Sequence, residues 1–269
     1  MRALKHILII LLAIVTVCYV ATLIYQGSSE HKEPPVISCP AEILEVSAAD
    51  DESVLLSGVT ASDPQDGDLT AHIIVGGISK LITKDTAKVT LMVFDSDHNL
   101  GTCIRYIRYK DYQRPQFSVT KPLNFSSTKD VSLLDRLTAT DVVDGNISSR
   151  IRVSTLSSTD NSEVYKITIQ VTNSMGDTAW LQLPVIVQET NPLRPIVELK
   201  SYLVYLEAGS SFDPAEYLSS VTVANVAEPV SKVTIDSNVD TAKEGTYQVM
   251  YTYSANGSTG SAILTVVVQ

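Results

Sequence analysis

The sequence has few of the residues on which enzyme chemistry usually depends. Of its 269 residues only 4 are histidine and 3 are cysteine, and no histidine stands at metal-ligand spacing from another histidine or a cysteine. The common zinc-site patterns are therefore absent from the sequence. It also contains no nucleophile elbow, no phosphate-binding loop and no His-Glu-x-x-His motif. These absences argue against the familiar hydrolases, nucleotide-dependent enzymes and metalloproteases.

Positive charge is scarce as well. Lysine and arginine number 20 against 30 aspartates and glutamates, which gives a net charge of −10 and a pI near 4.8. Binding to nucleic acid requires clustered Lys and Arg opposite the phosphates, so we expect no nucleic-acid partner. Hydrophobic residues make up 44% of the chain, which is enough to build packed cores. The acidic balance suits an extracellular protein and could supply oxygen ligands to divalent cations.

One long apolar run lies near the N-terminus. Residues 7–25 carry no charge and are numerous enough to cross a bilayer as a helix. Arg2 and Lys5 precede the run, and the positive-inside tendency therefore places residues 1–6 in the cytoplasm. We predict a single-pass anchor in the cell membrane over 7–25, followed by a polar linker over 26–34 and an extracellular remainder.

Two other interpretations of the apolar run are open. A cleaved signal peptide normally has a shorter apolar core and a small-residue exit site, which the end of this run does not offer. Lipid attachment would use Cys18, but the preceding Val17 is bulky where such signals have a small residue. The uncleaved anchor is therefore the preferred prediction.

The rest of the chain repeats itself. Pro35, Pro115 and Pro195 recur at a spacing of 80 residues, and each opens a series of short alternating segments separated by Gly, Pro, Asn and Asp. Such segments predict β-strands and a sandwich, and we include 54–59, 131–137, 164–172 and 178–187 among the strands. Proline in the links limits bending, so we expect semi-rigid stacking of the units. The predicted domains cover 35–112, 113–190 and 191–269.

Two segments of the repeat share an acidic pattern. Asp-Pro-Gln-Asp-Gly-Asp at 63–68 matches Asp-Val-Val-Asp-Gly-Asn at 141–146. This run resembles the Ig-like repeats of bacterial surface proteins, as does Asp-Thr-x-x-x-Gly-Thr-Tyr at 240–247, and the opening 34–40 is similar to hyalin-type repeats. The third domain departs from the pattern, because 223–229 stands where the acidic run belongs. The resemblance implies an all-β fold at the cell surface: three tandem Ig-like β-sandwich domains, here preceded by one N-terminal transmembrane helix.

The acidic loops are candidate calcium sites. In a sandwich they lie at the same end as the last hairpin turn and the incoming link, and calcium prefers six to eight oxygen ligands. The alternative is that each aspartate caps a turn through its own backbone while the glycine takes a left-handed conformation. The motif lacks a full ligand set, which favours this alternative, and no other cofactor is predicted. The candidate ligands are Asp63, Asp66, Asp68, Asp95, Asp97, Asp111, Asp141, Asp144 and Asn146.

Cys39 and Cys103 are predicted to form a disulfide. They lie in the first and last strands of the first domain, and an oxidising exterior favours the bond over two buried thiols. A spacing of 80 places apolar residues at the corresponding positions of the other domains, which indicates paired core sites. These residues are Val119, Leu183, Leu199 and Ile263.

The aromatic residues are given structural roles. Trp180, the only tryptophan, is interpreted as a core residue of the second domain, with carbohydrate stacking as the alternative. Tyr106, Tyr109 and Tyr112 are expected to pack near the first domain junction.

The sequence favours a non-enzymatic function. We predict a membrane-anchored surface stalk or adhesion module whose partner is an extracellular protein or a glycan. An alternative is an envelope assembly component that binds another membrane protein through its helix and first domain. An enzyme of unknown type is the third and least favoured possibility.

Overall fold

A computed structural model describes residues 2–29, 33–127, 132–154 and 163–269. Within the N-terminal helix, side chains are described over 9–24. Residues 30–32 of the predicted linker and residue 131 of a predicted strand lie outside the described residues.

The N-terminal helix, α1, spans Arg2–Ser29. It contains the predicted anchor and continues through residues 26–29, where polar side chains do not stop a helix. Large apolar side chains over 9–24 are exposed, as Leu12 at 65% and Val17 at 68% illustrate. No helix in the described part of the chain is long and apolar enough to cross a membrane.

After the helix the described residues form 21 strands in six sheets, arranged as three β-sandwiches. Each sandwich pairs a three-stranded sheet with a four-stranded sheet. The first sandwich contains β1 Val36–Ser38, β2 Leu44–Val46, β3 Thr60–Asp63, β4 Gly67–Asp68, β5 Ile74–Ile78, β6 Thr86–Phe94 and β7 Leu100–Tyr109. The middle sandwich contains β8 Gln116–Val119, β9 Asn124–Phe125, β10 Leu137–Asp141, β11 Gly145–Asn146, β12 Arg152–Val153, β13 Val164–Thr172 and β14 Thr178–Val187. The third contains β15 Ile196–Leu199, β16 Leu203–Leu206, β17 Leu218–Val223, β18 Val226–Ala227, β19 Thr234–Ser237, β20 Gly245–Ala255 and β21 Ser258–Val268. The strand orders of the paired sheets are β1-β3-β4 with β2-β7-β6-β5, β11-β10-β8 with β12-β13-β14-β9, and β15-β17-β18 with β16-β21-β20-β19.

The chain divides into two compact units, Met1–Lys110 and Asp111–Gln269. The first unit contains α1 and the first sandwich, and the second contains the middle and third sandwiches. The cores follow the two-residue period of the strands. In β6, for example, Val89, Leu91 and Val93 are fully buried, and each such side chain contributes about 1.5–3 kcal/mol to stability.

The middle and third sandwiches share packing within the second unit. Leu203 of β16 belongs to the apolar core of the middle sandwich. The Phe117 amide donates to Tyr205 Oη at 3.0 Å, and Asn124 Nδ2 donates to the Ser261 carbonyl at 3.1 Å. The two sandwiches are therefore joined by side-chain contacts as well as by the proline-containing link.

The predicted strand at 54–59 is wrong. The chain forms a 3-10 helix over Glu52–Leu56, and the Asp51 side chain accepts a hydrogen bond from the Ser53 amide at its start. The buried Arg105 guanidinium donates to the Ser57 carbonyl at 2.5 Å at its end. A short polar side chain that bonds its own backbone competes with strand pairing, and it outweighs the apolar pattern here. The prediction of a strand over 131–137 is also wrong for Leu134–Arg136, which form a 3-10 helix without a side-chain cap.

Candidate functional site

The first aspartate of each acidic motif shapes a tight hairpin. Asp63 Oδ1 accepts hydrogen bonds from the Gln65 and Asp66 amides at 2.7 and 2.9 Å. Gly67 then takes φ +74°, a left-handed conformation that glycine adopts without strain. These contacts turn the chain from β3 into β4.

The middle sandwich repeats this turn between β10 and β11. Asp141 Oδ1 accepts from the Val143 and Asp144 amides, both at 2.9 Å, and Gly145 has φ +67°. The first aspartate and the glycine of the motif are therefore explained by backbone geometry.

The second aspartate joins the acidic turn to the last hairpin of the same sandwich. Asp66 accepts from the Ser96 amide at 2.7 Å and from Ser96 Oγ at 2.9 Å. Asp144 accepts from the amide and Oγ of Ser174, both at 2.6 Å, and also pairs with Arg150. In the first and middle sandwiches, one carboxylate thus joins two turns at the same end.

The third polar residue of the motif accepts a hydrogen bond from the first residue of the following 3-10 helix. Asp68 Oδ1 accepts from the Thr70 amide at 2.9 Å, and Asn146 Oδ1 accepts from the Ser148 amide at 3.0 Å. Hydrogen bonds from Thr70 lower the pKa of Asp68. Asparagine can replace aspartate at this position because the hydrogen bond requires only an acceptor oxygen.

The remaining candidate ligands lie in the last hairpin of the first sandwich and at the start of the second unit. Asp95 is buried at 8% exposure, and its carboxylate accepts from the backbone and side-chain amides of Asn99, both at 2.7 Å. Asp97 is half-buried in the same turn, and Asp111 is exposed. The turn carrying Asp95 is brought to the acidic turn by the contacts between Asp66 and Ser96.

The corresponding turns of the middle sandwich form a polar network. Asn173 Nδ2 donates to Asp141 Oδ2 at 3.0 Å and to Tyr112 Oη at 2.9 Å. Tyr112 Oη donates to Asp177 at 3.0 Å, and Arg114 pairs with the same carboxylate at 3.2 Å. Burial raises the pKa of Tyr112, so its hydroxyl remains a donor. The start of the second unit is therefore fastened to the hairpin turn through Tyr112 and Arg114.

The first sandwich has an aspartate, Asp95, where the middle sandwich has Asn173. An ionised aspartate has no hydrogen to donate, whereas the Asn173 amide donates to Asp141. Asp63 Oδ2 accordingly accepts no hydrogen bond among the described residues, although Asp63 is 6% exposed.

The third sandwich replaces the acidic turn by a different hairpin. Ala224 and Asn225 both have positive φ, at 47° and 65°, and they connect β17 to β18 as a two-residue turn. No carboxylate is needed to shape this turn, which explains the missing motif.

The acidic residues of the motifs stabilise turns by accepting hydrogen bonds. The Oδ1 atoms of Asp63 and Asp141 and the carboxylates of Asp66 and Asp144 already accept protein hydrogen bonds. Among the described residues, no group of three or more His, Cys, Asp or Glu side chains is placed to hold a metal ion. Calcium binding at these residues stays a prediction.

Replacement of Asp144 by alanine is expected to destabilise the second unit by about 2 kcal/mol, because it leaves the Ser174 donors and Arg150 without their acceptor. Urea unfolding of the full chain, followed by the fluorescence of Trp180, measures this loss. The loss is expected to be the same in millimolar calcium and in chelator. A calcium-dependent stabilisation that disappears in Asp144→Ala would instead assign the carboxylate to an ion.

The stabilisation lost in Asp144→Ala is expected to depend on pH. Burial raises the pKa of Asp144, but hydrogen bonds from Ser174 and the pairing with Arg150 outweigh burial and leave the pKa below its ordinary value. A carboxyl group with a lowered folded pKa contributes stability that is present above its unfolded pKa and lost as the pH falls through its folded pKa. The difference in the free energy of unfolding between wild type and Asp144→Ala should therefore be constant above about pH 4 and become smaller below it.

The two cysteines of the first sandwich are joined. Cys39 and Cys103 form a disulfide with Cα atoms 6.4 Å apart, within the usual range for such bonds. Strand pairing shows which residues correspond to Cys103, because Cys103 faces Leu91 as Leu181 faces Ile169. The equivalent residue is thus Leu181 rather than the predicted Leu183, and in the third sandwich Ala262 rather than Ile263.

The interpretation of Trp180 as a core residue is wrong. Its side chain is 68% exposed. Along β14 the odd positions Leu181, Leu183 and Val185 are buried, whereas Trp180 and Gln182 are exposed. The two-residue alternation of the strand places Trp180 with Gln182 on the outer face, so this signal was present in the sequence.

Trp180 belongs to a polar row across three strands. Arg152 of β12 pairs with Gln170 of β13, and Gln170 pairs with Trp180 of β14. All three residues are exposed. This outer face therefore presents an indole ring next to an amide and a guanidinium group.

The comparisons with known proteins concern part of the chain. Residues 201–268 match the family model described as "Bacterial surface protein, Ig-like domain". With the β-sheet structure, this match confirms the coarse prediction of an all-β, Ig-like fold and indicates a surface or extracellular location.

A curated relative and several solved structures are similar at low identity. An "Uncharacterized 81.3 kDa protein" of Acholeplasma phage L2 is 26% identical over 168 residues, which are 60% of this chain and 22% of that protein. The M60 catalytic domain with CBM51 domains of Clostridium perfringens ZmpB has 14% identity and a TM-score of 0.24, covering 87% of this chain and 30% of the other. Drosophila N-cadherin EC1-4 has 14% identity and a TM-score of 0.22, covering 88% and 76%. The chain thus spans about a fifth of the phage protein, and scores this low transfer no activity to it.

Proposed function

We propose that the chain is a membrane-anchored, extracellular, non-enzymatic module that binds or adheres through its Ig-like sandwiches. The single observation that carries this proposal is the match of residues 201–268 to bacterial surface Ig-like domains. The polar networks described above support it, because their acidic side chains serve turns and hairpins rather than a reaction centre.

Anchoring is the finer part of the proposal. It is supported by the uncharged run at 7–25 and by the exposed apolar side chains of α1. Exposed apolar surface is costly in water, and a lipid environment would remove that cost. The positive residues Arg2 and Lys5 support an N-terminus on the cytoplasmic side.

The proposal is tested with the full chain produced in a bacterial host. We expect it to stay with membranes after an alkaline carbonate wash, and we expect added protease to cleave the sandwiches on intact cells. Those cells should be retained several-fold above vector cells on at least one coating of mucin, fibronectin, collagen or envelope polysaccharide. Release by carbonate contradicts anchoring, and no retention on any coating contradicts binding. Capture of a second membrane protein by the full chain, without retention on any coating, would favour the assembly alternative.

A further inference from the structure

The exposure of Trp180 is unusual for its size. Tryptophan contributes strongly to stability when buried, and large aromatic side chains exposed on a surface are typical of binding sites. Trp180 is 68% exposed, whereas its neighbour Leu181 is 5% exposed. Folding of the sandwich therefore does not require the indole ring at this position.

The other sandwiches show that the fold does not require the polar row either. The equivalent row of the first sandwich is Ile74, Met92 and Thr102. In the third sandwich it is Thr234, Thr252 and Ser261. The combination of Arg152, Gln170 and Trp180 is specific to the middle sandwich.

The geometry of the row suits a ligand that extends over about 10 Å. Residues directly opposite on neighbouring strands have Cβ atoms about 5 Å apart. Gln170 is thus adjacent to the indole ring of Trp180, and Arg152 lies two strands away, at about 10 Å. A flat ligand stacked on Trp180 would reach the amide of Gln170 at once and the guanidinium of Arg152 with its next group.

A groove continues from the tryptophan. It has a volume of about 270 Å³ and is lined by Trp180, Arg114, Tyr205, Thr246 and Gln269, among others. It lies within the second unit, between the middle and third sandwiches. The volume is close to the lower end for small-ligand sites, and hydrogen-bonding side chains surround an aromatic wall.

The charge of this face differs from that of the whole chain. The outward side chains of β12, β13 and β14 include Arg152 and Lys166 and no acidic residue in these described strands, although the chain has a net charge of −10. A protein partner would favour a face with charge-depleted, apolar surroundings. Here the indole is surrounded by amide, hydroxyl and cationic groups, which suit a ligand that has a C–H face and many oxygen atoms.

We propose that this face binds a carbohydrate, and that sugars carrying a carboxylate bind best. The C–H face of one sugar ring stacks on Trp180, its hydroxyls bond Gln170, its carboxylate pairs with Arg152, and the next sugar enters the groove. This inference rests on the proposed binding function and names the chemical class of its ligand.

The experiment uses the fluorescence of the full chain in a detergent without a sugar headgroup. Because Trp180 is the only tryptophan, its emission reports directly on this face. We expect a hexasaccharide of hyaluronan or an oligogalacturonate to change the emission saturably, with an affinity at least about fivefold higher than that of chitohexaose or maltohexaose. If none of these probes changes the emission, the proposal is overturned.

Variants test which residues bind the sugar. Calorimetric titration should show at least about a tenfold loss of affinity for Trp180→Ala and a loss of about fivefold for Gln170→Ala. Thr102→Ala, at the equivalent exposed position of the first sandwich, is the matched control and should bind as wild type. Unchanged affinity in Trp180→Ala, with an unchanged unfolding midpoint, would overturn the proposal.

The failure of this inference is distinguishable from the failure of the proposed function. Cells that display the chain are tested on mucin before and after periodate oxidation, which destroys sugar rings. Retention that survives both periodate and Trp180→Ala overturns the carbohydrate site but leaves the binding function intact. Retention that is lost both after periodate and in Trp180→Ala supports the site, whereas loss with only one of the two treatments overturns the site and leaves the binding function intact.

Discussion

Loss of the Cys39–Cys103 disulfide is expected to destabilise the first unit by about 4 kcal/mol. The bond closes a loop with a sequence separation of 64 residues, and in the chain-entropy model a loop of this length restricts the unfolded chain by about that amount. Urea unfolding with and without reductant, followed by circular dichroism, measures the change. The second unit contains no cysteine, so the midpoint reported by Trp180 fluorescence should not move.

The middle sandwich supplies the matched control for this experiment. Its residues at the equivalent positions are Val119 and Leu181, so Cys39→Val with Cys103→Leu removes the bond and keeps apolar packing. We expect this double variant to behave like the reduced protein, and a Cys18→Ser background to show no reactive thiol before reduction and two after it. Two reactive thiols without reductant would contradict the disulfide.

The sequence predicted the all-β architecture well because strands have a strong local signal. Alternation of apolar and polar residues over 164–172 and 178–187 matches β13 and β14 to the residue. Segments of mixed character were predicted wrongly, as at 54–59, because the Asp51 side chain accepts a hydrogen bond from the Ser53 amide and favours a 3-10 helix there. The periodicity of apolar residues carries no information about such side-chain hydrogen bonds.

The repeat was predicted correctly at its start and imperfectly at its end. The spacing of 80 aligns Cys39 with Val119, but strand pairing aligns Cys103 with Leu181, a spacing of 78. The loops between these strands differ in length, and only pairing across the sheet fixes the register.

The candidate site was also predicted only in part. The sequence indicated that the acidic motifs lie near the last hairpin, and the contact of Asp66 with Ser96 places the two turns together. It did not show that each carboxylate is committed to particular amides and hydroxyls. The prediction that Trp180 is buried followed its residue type, although its position in the strand places it on the outer face. The groove could not be predicted, because local sequence patterns do not show where the third sandwich lies.

Replacement of Gly260 by alanine is expected to destabilise the third sandwich by about 3 kcal/mol. A Cβ atom at this position would lie 1.8 Å from the Pro195 carbonyl oxygen and 2.6 Å from its carbon. These are backbone atoms of the residue directly before β15, so they cannot move without disturbing the strand. Gly101 stands in the same relation to Pro35 in the first sandwich, at 2.1 Å, and Gly101→Ala should have a similar effect there.

Gly245→Ala is the matched control, because its new Cβ would meet only the Tyr247 ring at 3.4 Å, and its effect should stay within about 0.5 kcal/mol. Urea unfolding followed by circular dichroism compares the two variants. Trp180 fluorescence adds a second readout: Leu203 of the third sandwich packs in the middle core, so the midpoint in Gly260→Ala should fall by both probes together. A Gly260→Ala variant as stable as Gly245→Ala would mean that the Pro195 carbonyl can move aside without a loss of stability. A fall seen by circular dichroism alone would mean that the contact through Leu203 does not couple the unfolding of the two sandwiches.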